Sequence, residues 1–151
     1  MASGRLCSKI LVVEDDPDTR EILADFFASH GYDVKTVATA EAGLAELKGN
    51  GTDVVLSDNQ LDGGHTGSWM LRRAYAEGLL RRVAAVMYTA DDDPNVPRVV
   101  RVLHKPTALS VIEATAERAI DSARGRDLAR TSATRLTSHV DDEMTPSSRQ
   151  A

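Results

Sequence analysis

Three acids, Glu14, Asp15 and Asp16, stand back to back in "KILVVEDDPDTREIL", directly after the apolar run Ile10, Leu11, Val12 and Val13. Repulsion and desolvation both disfavour such a cluster, so either the acids do separate jobs or a cation gathers them. One job is local. Asp16 precedes Pro17, and a capping Asp followed by proline at the first helical position starts a helix by spending its carboxylate on backbone amides. Glu14 and Asp15 remain, either as acids solvated at a strand-to-helix turn, where acids are common, or as chemistry. Three groups farther along suit a shared site: Asp58 after "DVVLS", Thr89 after "AAVMY" and Lys105 close behind "VVRVL". Facing carboxylates make the hard oxygen site that Mg2+ prefers. A carboxylate nucleophile, a metal and an ammonium are sufficient equipment for phosphoryl transfer, which needs positioning and charge neutralisation above all.

These residues meet only if the chain positions them, and the apolar spacing says how. Ile10 to Val13 is a short branched run, as expected of a strand buried on both faces. A helix follows with Ile22, Leu23, Phe26 and Phe27 as its apolar stripe and Gly31 as its end. "YDVKTV" is a second strand, and Thr39 caps a second helix, "AEAGLAELK", that closes near Gly49 and Gly51. "DVVLS" and "AAVMY" are strands three and four, with "SWMLRRAYAEG" as the helix between them. "VVRVL" is strand five. A final helix starts near Thr107 and buries Leu109, Ile112, Ala116 and Ile120. Five strands joined by helices predict an α/β fold with a doubly wound parallel sheet, in which ligands gather beyond the carboxyl ends of the strands. Glu14, Asp15, Asp58, Thr89 and Lys105 all fall on that edge.

Composition bounds the rest. With 151 residues, 42% hydrophobic content and five net negative charges, the chain suits one domain with no global pull toward nucleic acid. The pairs Arg72–Arg73 and Arg81–Arg82 read as solvated helix ends rather than a phosphate-binding patch. The single Cys7 excludes an intramolecular disulfide framework and reads as a small buried or terminal residue. Without a long apolar span or a signal-type leader, a soluble, cytoplasmic protein with no membrane association is expected. His30, His65, His104 and His139 lack metal-ligand spacing and read as surface or capping residues. Trp69 and Met70, at the start of the third helix, read as packing residues.

The chain resembles the receiver domain of two-component response regulators, of the stand-alone, chemotaxis-regulator-like type. "ILVVEDDPDTR" matches the acidic first turn, "DVVLSDNQL" the phosphoacceptor strand, "VMYTAD" the threonine strand and "RVLHKP" the lysine–proline end, four motifs in the right order. The resemblance places the receiver, of flavodoxin-like topology, at residues 8–122. It implies that Asp58 takes a phosphoryl group from a sensor histidine kinase or histidine phosphotransfer protein. It further implies that Glu14, Asp15, Asp58 and the backbone carbonyl of Gln60 hold Mg2+, and that Thr89 and Lys105 contact the phosphoryl oxygens. Such a chain is a signalling phosphoacceptor that assists its own phosphorylation and dephosphorylation, signalling by protein contact or phosphorelay rather than acting as an enzyme on a separate substrate.

The sequence departs from the family pattern in three places. The proline usual a few residues past the phosphoacceptor is missing, since "DNQLDGGHTG" runs Leu61, Asp62, and the loop before Gly67 is about a residue longer. The commonly aromatic switch position, three residues before the lysine, is Val102, which leaves Tyr88 as the candidate to substitute for it. Only fifteen residues separate Thr89 from Lys105; strand five takes about five of them, and Pro94 and Pro97 leave room for no more than about one helical turn. The fourth helix is therefore expected to be shortened or missing. A homodimer or partner contact is expected to run through the first helix, where Phe26 and Phe27 cannot both point fully inward, or through residues 123–151. That extension, with Gly125 as its weak point, is either a helical arm or disordered. A degenerate receiver acting as a phosphorylation-independent interaction module is the alternative. A flavodoxin-like cofactor binder would place glycines and hydroxyls, not carboxylates, in the first turn. A haloacid-dehalogenase-type phosphatase would place a second Asp where Gln60 stands.

Overall fold

The computed structural model describes the backbone of residues 8–49 and 51–150 and side chains as far as Ala129. Strands β1 (Lys9–Val13), β2 (Asp33–Val37), β3 (Val54–Ser57), β4 (Ala84–Thr89) and β5 (Val100–His104) alternate with helices α1 (Pro17–Ser29), α2 (Ala40–Lys48) and α3 (Gly67–Ala76), and α4 (Leu109–Gln150) follows. All pairings are parallel, in the order β2-β1-β3-β4-β5. Alternation along β1 shows why its run is continuously apolar. Ile10 and Val12 point into one core with Leu23, Phe27, Ile112 and Ile120, whereas Leu11 and Val13 point into the other with Leu44, Met70 and Leu71. Helices therefore cover both faces, as a parallel sheet requires.

Helix starts follow the capping residues. The Asp16 carboxylate accepts the Thr19 N–H at 2.9 Å with Pro17 next in line, and Thr39 accepts the Ala42 N–H at 3.1 Å. Asp16 is thereby held below the usual carboxylate range, first by the Thr19 hydroxyl and then by its amide. Thr66 caps α3, accepting the Trp69 N–H at 3.0 Å, so that helix begins at Gly67 and stops at Ala76, before the expected Gly78. The final helix begins at Leu109 rather than near Thr107, whose hydroxyl instead donates to the His104 carbonyl in the preceding turn.

Two expectations about apolar residues are corrected. Ile22 is 56% exposed while Leu23 and Phe27 are buried, because residues one apart on a helix diverge by about 100° and only the i, i+4 pair can share the inward line. Phe26 lies at its margin, edge-on to Phe27 with ring centroids 5.3 Å apart. Tyr88 cannot stand in for Val102 either: Tyr88 packs on the α1/α4 core and Val102 on the α2/α3 core, across the sheet.

The short stretch between β4 and β5 contains no helix among the described residues. Val96 and Val99 lean on the α2/α3 core in its place, and the Arg72 guanidinium donates to the Asn95 carbonyl at 2.7 Å. Arg73 pairs with Glu77 at 2.7 Å and Arg82 with Asp127 at 3.5 Å, both on the surface. His30 caps α1, and His65 and His104 are exposed, whereas Cys7 and the side chains of Leu136 and His139 lie outside the described residues. No helix among the described residues is long and apolar enough to cross a membrane.

Candidate functional site

Strand register brings the site together. Val13 pairs with Ser57, so Glu14 and Asp58 emerge side by side one residue later, and the Asp58 N–H still donates to the Val13 carbonyl at 3.1 Å. Thr89 pairs with His104, and the Lys105 N–H donates to the Thr89 carbonyl at 2.8 Å. Glu14 is 3% exposed, Asp58 7% and Thr89 0%, so the cluster is largely out of water. One Asp58 oxygen accepts from Lys105 Nζ at 2.8 Å; the other accepts the N–H of Asn59 at 2.6 Å and of Gln60 at 3.4 Å. Asp15 accepts the Asp62 N–H at 3.1 Å, which folds the loop after β3 over the first turn. The Arg20 guanidinium steadies that turn by donating to the carbonyls of Glu14 and Asp15 at 2.8 and 3.4 Å.

Glu14, Asp15 and Asp58 each offer a carboxylate oxygen, and these atoms lie within 4.8 Å of one another. Burial pushes the Glu14 carboxyl up to about 7; the Asp16 N–H opposes the shift and the Asp58 charge adds to it. Burial likewise works against the Lys105 ammonium, but its hydrogen bond to Asp58 and the charges of Asp58 and Glu14 outweigh that and hold it above its ordinary value. The Lys105 Nζ also lies 5.1 Å from the Tyr88 ring centroid. Three acids against one ammonium leave uncompensated negative charge beside Asp58. Hard oxygen donors so arranged fit a small divalent cation, and a charge-neutralised Asp58 can act as a nucleophile.

Sequence reasoning picked out these five side chains and Gln60 but missed Asn59 and Ser68, which support them. Asn59, 8% exposed, accepts the N–H and hydroxyl of Ser68 at 2.8 and 2.6 Å and donates to Asp91. Gln60 turns its side-chain amide to the same carboxylate at 3.1 Å, and the bonds from Asn59 and then Gln60 hold Asp91 below the usual carboxylate range. The Asp91 N–H in turn donates to Thr89 Oγ1 at 3.1 Å. A second polar residue in a row after a buried strand, behind Asp58, is the signal that could have found Asn59. His65 stacks on Trp69 with centroids 3.7 Å apart and hydrogen-bonds Glu41, whose carboxyl it lowers. Grooves of about 550 and 560 Å³ open beside Gly78 and Arg81, away from the acidic cluster.

Comparison with known proteins bears on the fold and the family. A search of curated proteins finds no match. Among solved structures, the receiver domain of the hybrid histidine kinase CckA is 23% identical, with 75% of this chain and 99% of that one covered and a TM-score of 0.64. The chemotaxis response regulator CheY4 of Vibrio cholerae is 22% identical over 75% and 98% of the two chains, with a TM-score of 0.64. The response regulator TrrA of Thermotoga maritima, crystallised in complex with Mg(2+)-BeF, is 20% identical over 74% and 98%, with a TM-score of 0.66. At these identities the likeness speaks for the fold. The family model described as the response regulator receiver domain matches residues 10–117, well over half of the 151, and the chain therefore belongs to the response regulator receiver family.

Proposed function

We propose that this receiver is a single-domain response regulator that takes a phosphoryl group on Asp58 from a sensor histidine kinase or a histidine phosphotransfer protein. The observation that carries the reading is the 2.8 Å contact of Lys105 with an Asp58 that has the Glu14 and Asp15 carboxylates beside it. Glu14, Asp15, Asp58 and the backbone carbonyl of Gln60 would hold Mg2+, which would supply charge neutralisation to the transferring group. An Asp58 oxygen forms the new bond to phosphorus as the phosphorus–nitrogen bond of the donor phosphohistidine breaks, and the released imidazole keeps the electron pair. Lys105 then follows the charge onto a phosphoryl oxygen, and the Thr89 hydroxyl donates to another.

The receiver occupies residues 8–122 and the extension residues 123–151. Exposed Ile22 on α1 and Leu128 on α4, at 56% and 69%, support a homodimer or partner contact through α1 or the extension. The net charge of −5 favours protein partners over nucleic acid, and a cytoplasmic setting is where a kinase partner would be met.

The test is incubation with Mg2+ and acetyl phosphate, followed by mass spectrometry of the intact chain and its peptides. A labile phosphoryl group on the Asp58 peptide, lost with EDTA, is expected; no label, or a label elsewhere, overturns the reading. Lys105→Ala is expected to slow uptake about a hundredfold, the scale for removing one preorganised electrostatic contact, while circular dichroism stays unchanged.

Mg2+ affinity should depend on pH. With Glu14 at about 7, a cation must displace a proton at lower pH, so affinity is expected to fall about tenfold per unit below neutrality. Glu14→Gln should flatten that profile in a calorimetric titration. Without metal the sign is opposite. The folded chain keeps a proton that the unfolded chain loses above its value of 4.5, so metal-free stability falls as pH rises from 4.5 to about 7.

A further inference from the structure

We infer that Asn59 is a positioning residue that latches the β4–β5 loop to the start of α3 and so opposes the movement of Thr89 that phosphorylation of Asp58 demands; the inference rests on the phosphoacceptor reading above. Asn59 follows Asp58 directly, and its side chain is used at both ends. Its carbonyl oxygen accepts the Ser68 N–H at 2.8 Å and the Ser68 hydroxyl at 2.6 Å, and its amide donates to Asp91 Oδ2 at 2.5 Å. Its backbone N–H donates to Asp58 Oδ1 at 2.6 Å, and its backbone carbonyl accepts from Gly67 at 2.9 Å. One buried residue thus joins the reacting carboxylate, the first turn of α3 and the loop after β4.

The loop moves with Thr89 because the Asp91 N–H donates to Thr89 Oγ1 at 3.1 Å. A Thr89 hydroxyl drawn to a phosphoryl oxygen pulls Asp91 with it, and Asp91 is held by Asn59. Gln60 also reaches Asp91, but it is exposed and makes no other side-chain bond among the described residues, so it can follow where Asn59, anchored on Ser68, cannot. The missing fourth helix gives the latch its weight. Apart from the Asn59, Gln60 and Thr89 bonds, Arg72 to Asn95 is the one side-chain hydrogen bond tying residues 90–99 to the rest of the fold among the described residues. A ligand that favours the moved loop must work against whatever stabilises the resting one, and weakening the resting state tightens binding by the same factor.

The test uses the full chain and two readouts. Hydrogen exchange of the unphosphorylated protein reports the tether: Asn59→Ala and Asp91→Ala should each speed exchange at residues 90–93 about tenfold, the scale of one hydrogen bond to a charged group. Binding of beryllofluoride with Mg2+, a phosphoryl stand-in that is not hydrolysed, reports the consequence. Each variant should bind it about five- to tenfold more tightly, the double variant no more tightly than either single one, and Gln60→Ala should shift it less. Asp91→Ala attacks the bond from its less buried end and serves if Asn59→Ala disturbs the start of α3. Unchanged exchange, weakened binding or additive effects in the double variant overturn the latch. A wild-type chain that binds no beryllofluoride overturns the phosphoacceptor reading itself, whereas wild-type binding that the variants share unchanged overturns the latch alone.

Discussion

Asp58→Asn is expected to cut phosphoryl uptake from acetyl phosphate more than about a thousandfold, the scale of losing a nucleophile, while leaving the fold in place. The substitution conserves shape, and its amide oxygen can still accept the Asn59 N–H that Asp58 accepts at 2.6 Å. It replaces the anionic carboxylate proposed to attack phosphorus with a neutral amide, a far weaker nucleophile. The same variant should also move two neighbours. Glu14 loses the Asp58 charge that helps raise it and falls below about 7, yet burial, its largest cause, still keeps it above 4.5. Lys105 loses both the hydrogen bond and the charge that outweigh its burial, and its ammonium drops from its raised value. Quantitative labelling checks the first effect, and carboxyl carbon shifts followed through a pH titration check the second. A label of wild-type intensity on the Asp58→Asn variant would remove Asp58 from its role, whatever the rest of the site does.

Gly67→Ala should be the most damaging single-methyl change near the site. A Cβ there would lie 2.0 Å from the Asp58 carbonyl oxygen and 2.8 Å from Ser57 Oγ. Its backbone is not in the left-handed region, so the penalty is steric. Neither obstacle is a flexible side-chain end: one is the backbone of Asp58, and the other is a hydroxyl that itself donates to that carbonyl at 2.7 Å. The helix must back away, which breaks the Gly67 N–H bond to Asn59 and drags Ser68 off the Asn59 side chain. Overpacking of this kind costs about 3 kcal/mol, or roughly 10 °C of melting temperature for a chain of this size. Phosphoryl uptake should fall with it, since the methyl displaces the Asp58 backbone that carries the carboxylate. Gly125→Ala is the matched control. Nothing lies within 4 Å of a Cβ there and the residue is inside α4, so replacing a helical glycine should stabilise by about 1 kcal/mol. Equal melting temperatures for the two variants would count against the close approach at Gly67.

Much of this protein is determined by its sequence alone because the relevant forces are local or periodic. The apolar run from Ile10 to Val13 can only be a strand buried on both faces, and Asp16 with Pro17 can only be spent on a helix start. The fifteen residues from Ala90 to His104 are too few, and too proline-broken, for a helix before β5. The clustering of the candidate residues was legible for the same reason: each stands at the carboxyl end of a strand, and a parallel sheet gathers those ends on one edge. Tertiary structure alone decided what depends on which face a neighbour occupies. Ile22 and Phe26 beside Leu23 and Phe27 offered equal hydrophobicity, and only the packing on α4 and the sheet chose the inward pair. Tyr88 and Val102 stand close to the site in sequence terms, yet one strand's pleat sends the first to one core and the next strand's pleat sends the second to the other. The pull of Asn59 on both Ser68 and Asp91 joins residues nine and thirty-two positions away, and no spacing rule reaches across a loop of undetermined path. Hydrogen bonds of that kind exist only once the sheet has set the loops side by side, because their strength depends on angles and tenths of an ångström that residue types do not contain.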